Sequence, residues 1–379
     1  MPRDTAPRPK TLRHVRDLAD RGLADAAGLP VLEQVAAQFA VAVTPAMTDL
    51  IDPADPNDPV ARQFLPDPRE LDIQETELAD PIGDDPFTPV KGIVHRYRDR
   101  VLLKPVHACP VYCRFCFRRE MVGPGADALT ADELDRAIAY IAGNAEIWEV
   151  ILTGGDPMIL SPRRMGAIIA RLNAIPHLGS IRIHTRVPLV DPVRVDADMV
   201  AALKGGRIPT WVVLHSNHWK EFAEDGRAAV ARLVDAGIPM LGQTVLMRDI
   251  NDDADTLART FRTMVTNRIK PYHLNHGDLA KGTSHFRTSV AAGRTLVKAL
   301  RGDLSGICQP TYILDIPGGH GKVPLGAAYL MPAAGARAGG ADGTADGKAD
   351  GAGEEDGAAA GPEDWLVEDP HGHRHHYRG

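Results

Sequence analysis

Cys109-Pro-Val-Tyr-Cys113-Arg-Phe-Cys116 follows closely on a short apolar run, Val101-Leu102-Leu103. Three of the chain's four cysteines stand here at C-x3-C-x2-C spacing. A tetrahedral zinc takes four ligands, but Cys308 is far away in sequence and no H-x3-5-H partner stands nearby. Free cysteines buried as small hydrophobes usually stand alone, so a purely structural reading of the trio is weak. Three thiolates within eight residues can hold three irons of a [4Fe–4S] cluster and leave the fourth iron to a non-protein ligand. A ligand loop set directly after a strand also marks the carboxyl end of that strand as the chemical end of the fold.

The same pattern of strand and loop continues downstream. Apolar or β-branched runs recur at 149–152, 180–184, 210–214, 240–245, 270–274 and 311–314. Helical periodicities separate them, as at 131–142, 163–174, 227–236, 254–265 and 290–300. From the second strand to the sixth the spacing is about 30 residues, the size of one βα unit. Right-handed crossovers then give a parallel sheet, closed or partly closed as a barrel, with its chemistry at the strands' carboxyl ends. The expected fold class is α/β, a partial (β/α) TIM-like barrel. Residues 1–90 are expected as an N-terminal helical extension and wrapping segment, with helices over 11–43 and an Asp-Pro-rich stretch over 44–88. The barrel spans 91–331. Residues 332–361, almost wholly Ala, Gly, Asp and Glu, are expected to form a disordered linker. Residues 362–379 read as a hairpin-like tail whose four histidines are assigned to an exposed arm and not to a metal.

At 379 residues with 44% hydrophobic side chains, the chain can bury a sizeable core. A formal charge of −7 argues against nucleic acid as a partner. The N-terminus shows no apolar signal core and no stretch of about 18 apolar residues occurs, so the reading is cytoplasmic, with no membrane partner. Clustered cysteines without an export signal then point to metal or catalysis, not to disulfides.

Three further motifs carry chemistry. Thr153-Gly154-Gly155-Asp156-Pro157 follows the second strand; its glycines allow close backbone approach, and its aspartate can accept from an ammonium. Asp315-Ile-Pro-Gly318-Gly319-His320-Gly321-Lys322 follows the last strand and fails as a P-loop, since Ile316 and Val323 occupy the required Gly and hydroxyl positions. A lysine on such a loop can instead form a Schiff base with an aldehyde, for which pyridoxal phosphate is the obvious candidate. His95-Arg96-Tyr97-Arg98-Asp99-Arg100 puts three arginines on one face of an extended chain, suited to a phosphate or to a charged edge strand.

Together these motifs resemble the lysine 2,3-aminomutase family of radical S-adenosylmethionine (SAM), pyridoxal-phosphate (PLP) enzymes. The resemblance runs from about Asp58 to Leu330 and includes the His-Arg-Tyr-x-Asp-Arg-Val-Leu-Leu lead-in and His285-Phe286-Arg287-Thr288. It implies that Cys109, Cys113 and Cys116 ligate the cluster and that Gly154, Gly155 and Asp156 lie along the SAM site. Lys322 matches the lysine that bonds PLP, Arg96 and Arg100 match the arginines on its phosphate, and Arg118 matches the one that pairs with the substrate carboxylate. Asp252 and Asp315 match two carboxylates that recognise a distal ammonium, which makes free L-lysine the expected substrate, with arginine left open.

The implied activity is an isomerisation: a 5′-deoxyadenosyl radical, formed at the cluster from SAM, starts the migration of the α-amino group to C3, giving β-lysine. It also implies an electron donor such as flavodoxin or ferredoxin and leaves room for a homo-oligomer. Unlike the best-known members, the chain has no cysteine after Cys308, which puts their structural zinc in doubt. Short members without that segment include enzymes that make β-lysine for elongation factor P, and this is the rival reading within the family. A bare iron–sulfur electron carrier would have no use for the lysine loop or the arginines.

Overall fold

Each apolar run contributes one strand of a single sheet. In the computed structural model, which describes residues 10–123, 127–332, 364–369 and 371–378, seven strands run parallel in chain order. They are β2 (Arg100–Val106), β3 (Glu149–Gly154), β4 (Ser180–Thr185), β5 (Thr210–His215), β6 (Met240–Val245), β7 (Lys270–Asn275) and β8 (Thr311–Ile316). Two antiparallel strands flank them, β1 (Ile93–Tyr97) on β2 and β9 (Gly321–Pro324) on β8. The result is a curled nine-stranded sheet, the α/β partial barrel that the sequence predicts.

Period-two alternation decides what each face of this sheet carries. On β4, Ile181 and Ile183 are fully buried in the hydrophobic core, while Arg182 and His184 line the barrel's interior cavity. The apolar face packs against crossover helices Ala131–Ala142, Pro162–Asn173, Ala197–Lys204, Glu224–Asp235, Ala254–Thr266 and Val290–Asp303. Thr130, Ser161, Asp196, Asp253 and Ser289 each accept from a first-turn amide and so start their helices, a cap worth about 1 kcal/mol apiece. The apolar core thus lies outside the barrel, between sheet and helices, and the interior surrounds a cavity lined by charged and apolar side chains together.

The first ninety residues wrap this frame. Helices Val15–Asp20 and Leu29–Gln38 fall in the expected helical stretch, and the Asp-Pro-rich region folds into short turns and 3₁₀ segments. Val15, Leu18, Met47 and Phe64 form a separate small core that also takes in Val111 of the cysteine loop and Val190. Nearer the barrel, Gly83 lies against the lysine loop: a Cβ at Gly83, whose φ is +65°, would stand 2.5 Å from the Gly319 nitrogen.

The nine-stranded sheet ends at β1 and β9. There the Lys322 amide donates to the Tyr97 hydroxyl at 3.0 Å. At the C-terminus, β10 (Leu330–Pro332), β11 (Asp364–Glu368) and β12 (Arg374–Arg378) make a three-stranded antiparallel sheet. The expected disordered linker falls almost wholly on residues outside those described. Among the described residues no helix is long and apolar enough to cross a membrane.

The structure corrects one local reading. Arg96, Arg98 and Arg100 do not share an extended face, because Tyr97 and Arg100 are paired across a hairpin turn. That turn throws Arg98 out to an exposed pairing with Glu146, while Arg96 and Arg100 stay at the cavity.

Candidate active site

A cavity of about 660 Å³ occupies the barrel interior. Cys109, Cys113, Cys116, Arg96, Arg100, Arg118, Gly154, Gly155, Asp156, Asp315 and Lys322 all line it. These eleven positions run from residue 96 to residue 322; the cysteine loop and the Gly-Gly-Asp turn follow β2 and β3 at their carboxyl ends, while the antiparallel strands β1 and β9 add Arg96 and Lys322.

The cysteine loop is held by groups from the N-terminal segment. The Tyr112 amide donates to Ala42 O and the Arg114 amide to Gln63 O, each at 2.9 Å. Glu70, fully buried, accepts from Arg114 Nε and Nη2 at 2.9 and 2.6 Å and also from Arg119 Nη2. Two arginines flanking Cys116 are thereby fixed by one carboxylate. The donor set itself suits iron: three half-buried thiols on one loop. Burial raises the Cys116 thiol to about 11 and shifts those of Cys109 and Cys113 upward too, so a metal must displace protons to bind there. Among the described residues no group of His, Cys, Asp or Glu closes around a single metal ion.

The two glycines after β3 are required by packing against the cysteine loop. A Cβ on Gly155 would lie 2.2 Å from Ala108 O, and Gly154 has a φ of +111° with Val106 O at 2.6 Å from its Cβ position. Only glycine lets β3 end beside the start of the cysteine loop. Asp156 is already committed: it accepts from Thr185 Oγ1 and the Arg186 amide, both at 2.7 Å, and from the Met158 amide at 3.0 Å. Its carboxylate thus ties the end of β3 to the end of β4.

Arg118 and Arg96 share a partner that the sequence did not disclose. Asp84, almost fully buried, accepts from Arg118 Nη2 at 2.8 Å through Oδ2 and from Arg96 Nη2 at 3.0 Å through Oδ1. Arg100 lies over the Tyr97 ring, 3.8 Å from its centroid. A run of guanidinium groups along the wall is a setting for anions.

Lys322 belongs to strand β9, in register with Asp315 on β8, and the ammonium pairs with Asp315 Oδ2. The glycine-rich turn between them has positive φ at Gly318, Gly319 and Gly321. His320 is not among the positive-φ residues, so a side chain there is tolerated. The lysine is held by sheet pairing and not by a loose loop. Asp315 Oδ1 is buried without a partner.

Asp252 is the one expected site residue that the structure leaves out of the cavity. Its Oδ1 accepts from the Asp249 amide at 2.8 Å, closing a turn in which Asp249 takes a φ of 60°. The cavity carboxylate that neighbours Asp315 is Asp278, whose carboxyl is pushed up to about 7 by burial and then by Asp315. A positional signal existed: Asp278 lies just past the end of β7, as Asp315 lies at the end of β8, whereas Asp252 lies well beyond β6. His184 was also missed. It is half-buried in the cavity wall, its Nε2 is buried without a partner, and desolvation with nearby Arg182 shifts its imidazole well below the usual histidine range.

Residues 103–261 match the family model described as the Radical SAM superfamily. An L-lysine 2,3-aminomutase of Clostridium subterminale is 40% identical over 291 residues, which cover 77% of this chain and 70% of that protein. An L-lysine 2,3-aminomutase of Escherichia coli (strain K12) is 33% identical over 288 residues, 76% of this chain and 83% of the relative. A glutamate 2,3-aminomutase of Clostridioides difficile (strain 630) is 34% identical over 300 residues, 79% of this chain and 71% of the relative.

Proposed function

This chain belongs to the lysine 2,3-aminomutase family of radical SAM enzymes, and from that premise we propose that it is an isomerase converting free L-lysine into β-lysine. The observation that carries the choice of substrate is the pair of carboxylates, Asp278 and Asp315, that share the cavity with Lys322 and Arg118. A distal ammonium would be the counter-charge for both. The side-chain carboxylate of glutamate placed there would be repelled, at a cost of several kcal/mol.

The family's reaction uses a [4Fe–4S] cluster, SAM and PLP, and the residues present suit all three. Cys109, Cys113 and Cys116 would hold the cluster, backbone at Gly154 and Gly155 would adjoin SAM, and Lys322 with Arg96 and Arg100 would hold PLP. When bound, these groups supply a hydrogen-abstracting carbon radical and a carbonyl carbon able to carry the migrating nitrogen.

The chain's own residues do the positioning. Arg118, kept planar to the cavity by Asp84, receives the α-carboxylate through its remaining donors. With Lys322 holding PLP, Asp315 would be left without its present cation, and the substrate's distal ammonium would be the group of matching charge to replace it. Reduction by a flavodoxin or ferredoxin in the cytoplasm completes the proposal.

The deciding experiment gives anaerobic, reconstituted protein dithionite, SAM, PLP and one of L-lysine, L-arginine or L-glutamate, and analyses the amino acids by mass spectrometry after derivatisation. β-Lysine from lysine alone is the expected result. Turnover of glutamate in preference to lysine would end the substrate assignment.

A further inference from the structure

Arg186 follows the last residue of β4, and its side chain is almost wholly buried. Nη1 donates to Cys113 Sγ at 3.0 Å. Nη2 donates to Glu221 Oε2 at 2.6 Å and to Gln63 Oε1 at 3.1 Å. Phe64 and Phe115 cover the guanidinium, with ring centroids at 4.8 and 5.6 Å. Glu221 cannot drift, because its Oε1 accepts from the Asn217 and His218 amides at 2.8 and 2.9 Å and from Gln63 Nε2 at 3.2 Å. A locked cation thus touches one cysteine sulfur, and its counter-charge lies on the side away from that contact.

Resting on the cluster reading above, we propose that Arg186 is a positioning residue that aims the Cys113 sulfur and raises the reduction potential of the iron cluster held there. Reduction adds negative charge to the cluster and its sulfurs. A cation and an N–H donor at the sulfur stabilise the reduced form more than the oxidised one. Glu221 acts with the opposite sign, since its buried charge favours the oxidised form and Arg186 partly screens it. In an interior shielded from water these effects are not averaged away.

The opposed signs make the test specific. The full chain is reconstituted anaerobically with iron and sulfide, iron content is measured, and the cluster is titrated reductively with detection by electron paramagnetic resonance, without SAM or lysine. Arg186→Gln shifts the midpoint to more negative values, Glu221→Gln shifts it to more positive values, and Arg186→Lys falls between wild type and Arg186→Gln. Damage to packing alone has no reason to produce opposite shifts. Shifts of the same sign, or no shift in either, overturn the proposal. If Arg186→Gln loads no iron, Glu221→Gln alone carries the sign, and an unchanged or lower midpoint there overturns it. Wild-type protein that takes up no cluster refutes the cluster reading itself, a separate outcome.

Discussion

Asp252 and Asp278 differ in one physical respect: the first is spent on its own turn and the second faces an enclosed cavity beside another carboxylate. Asp278→Asn therefore lowers kcat/KM for lysine by about 10- to 100-fold, the worth of a hydrogen bond to a charged group. Asp252→Asn keeps kcat/KM within a few-fold and costs about 1 kcal/mol of stability at most, read by denaturant melts. The pH profile follows from the same residue. With the Asp278 carboxyl raised to about 7, it is protonated below that pH and can no longer meet an ammonium as an anion. The kcat/KM for lysine falls as pH drops through about 7, and in Asp278→Asn that limb disappears. A profile unchanged by the substitution removes Asp278 from substrate recognition.

At the scale of elements, what could be read from sequence was what periodicity records. The runs at 240–245 and 131–142 coincide with β6 and with the first crossover helix, because a short apolar run set off by Gly237 and Pro239 and a Thr130–Glu133 capping box are local signals. Strand β9 was not legible: Gly321-Lys-Val-Pro carries turn residues, and only pairing with β8 makes it a strand. Glu70 and Asp84 were equally hidden, since an acidic residue in an Asp-Pro-rich stretch looks solvated until the arginines it meets are known. Those contacts have measurable consequences. Glu70→Ala leaves Arg114 and Arg119 buried without their anion, which costs about 3–5 kcal/mol; denaturant melts show the loss, and iron content of reconstituted protein falls with it. Because β9 holds Lys322 toward the cavity, borohydride reduction of PLP-loaded protein fixes the pyridoxyl group on Lys322, checked by peptide mass mapping. Label on another lysine refutes that assignment.

Considered as a whole molecule, the barrel inverts the usual arrangement in which side-chain layers fill the centre. The main apolar core lies outward against the helices, and the interior sets arginines, histidines and carboxylates among aromatic and aliphatic side chains around a cavity. The N-terminal segment then does more than cover the frame, since it supplies Glu70, Gln63 and Asp84 to the cysteine loop and the arginine wall. The sheet meanwhile stops short of full closure. Between its two end strands the Lys322 amide donates to the Tyr97 hydroxyl where a ladder of backbone hydrogen bonds would otherwise run. Such a slit is cheap to part: losing the Tyr97 hydroxyl forfeits about 1 kcal/mol, so Tyr97→Phe releases PLP faster on dilution while the melting midpoint moves little. On the role proposed for Lys322, this seam between β1 and β9 is where PLP would be exchanged, while the seven parallel staves stay paired.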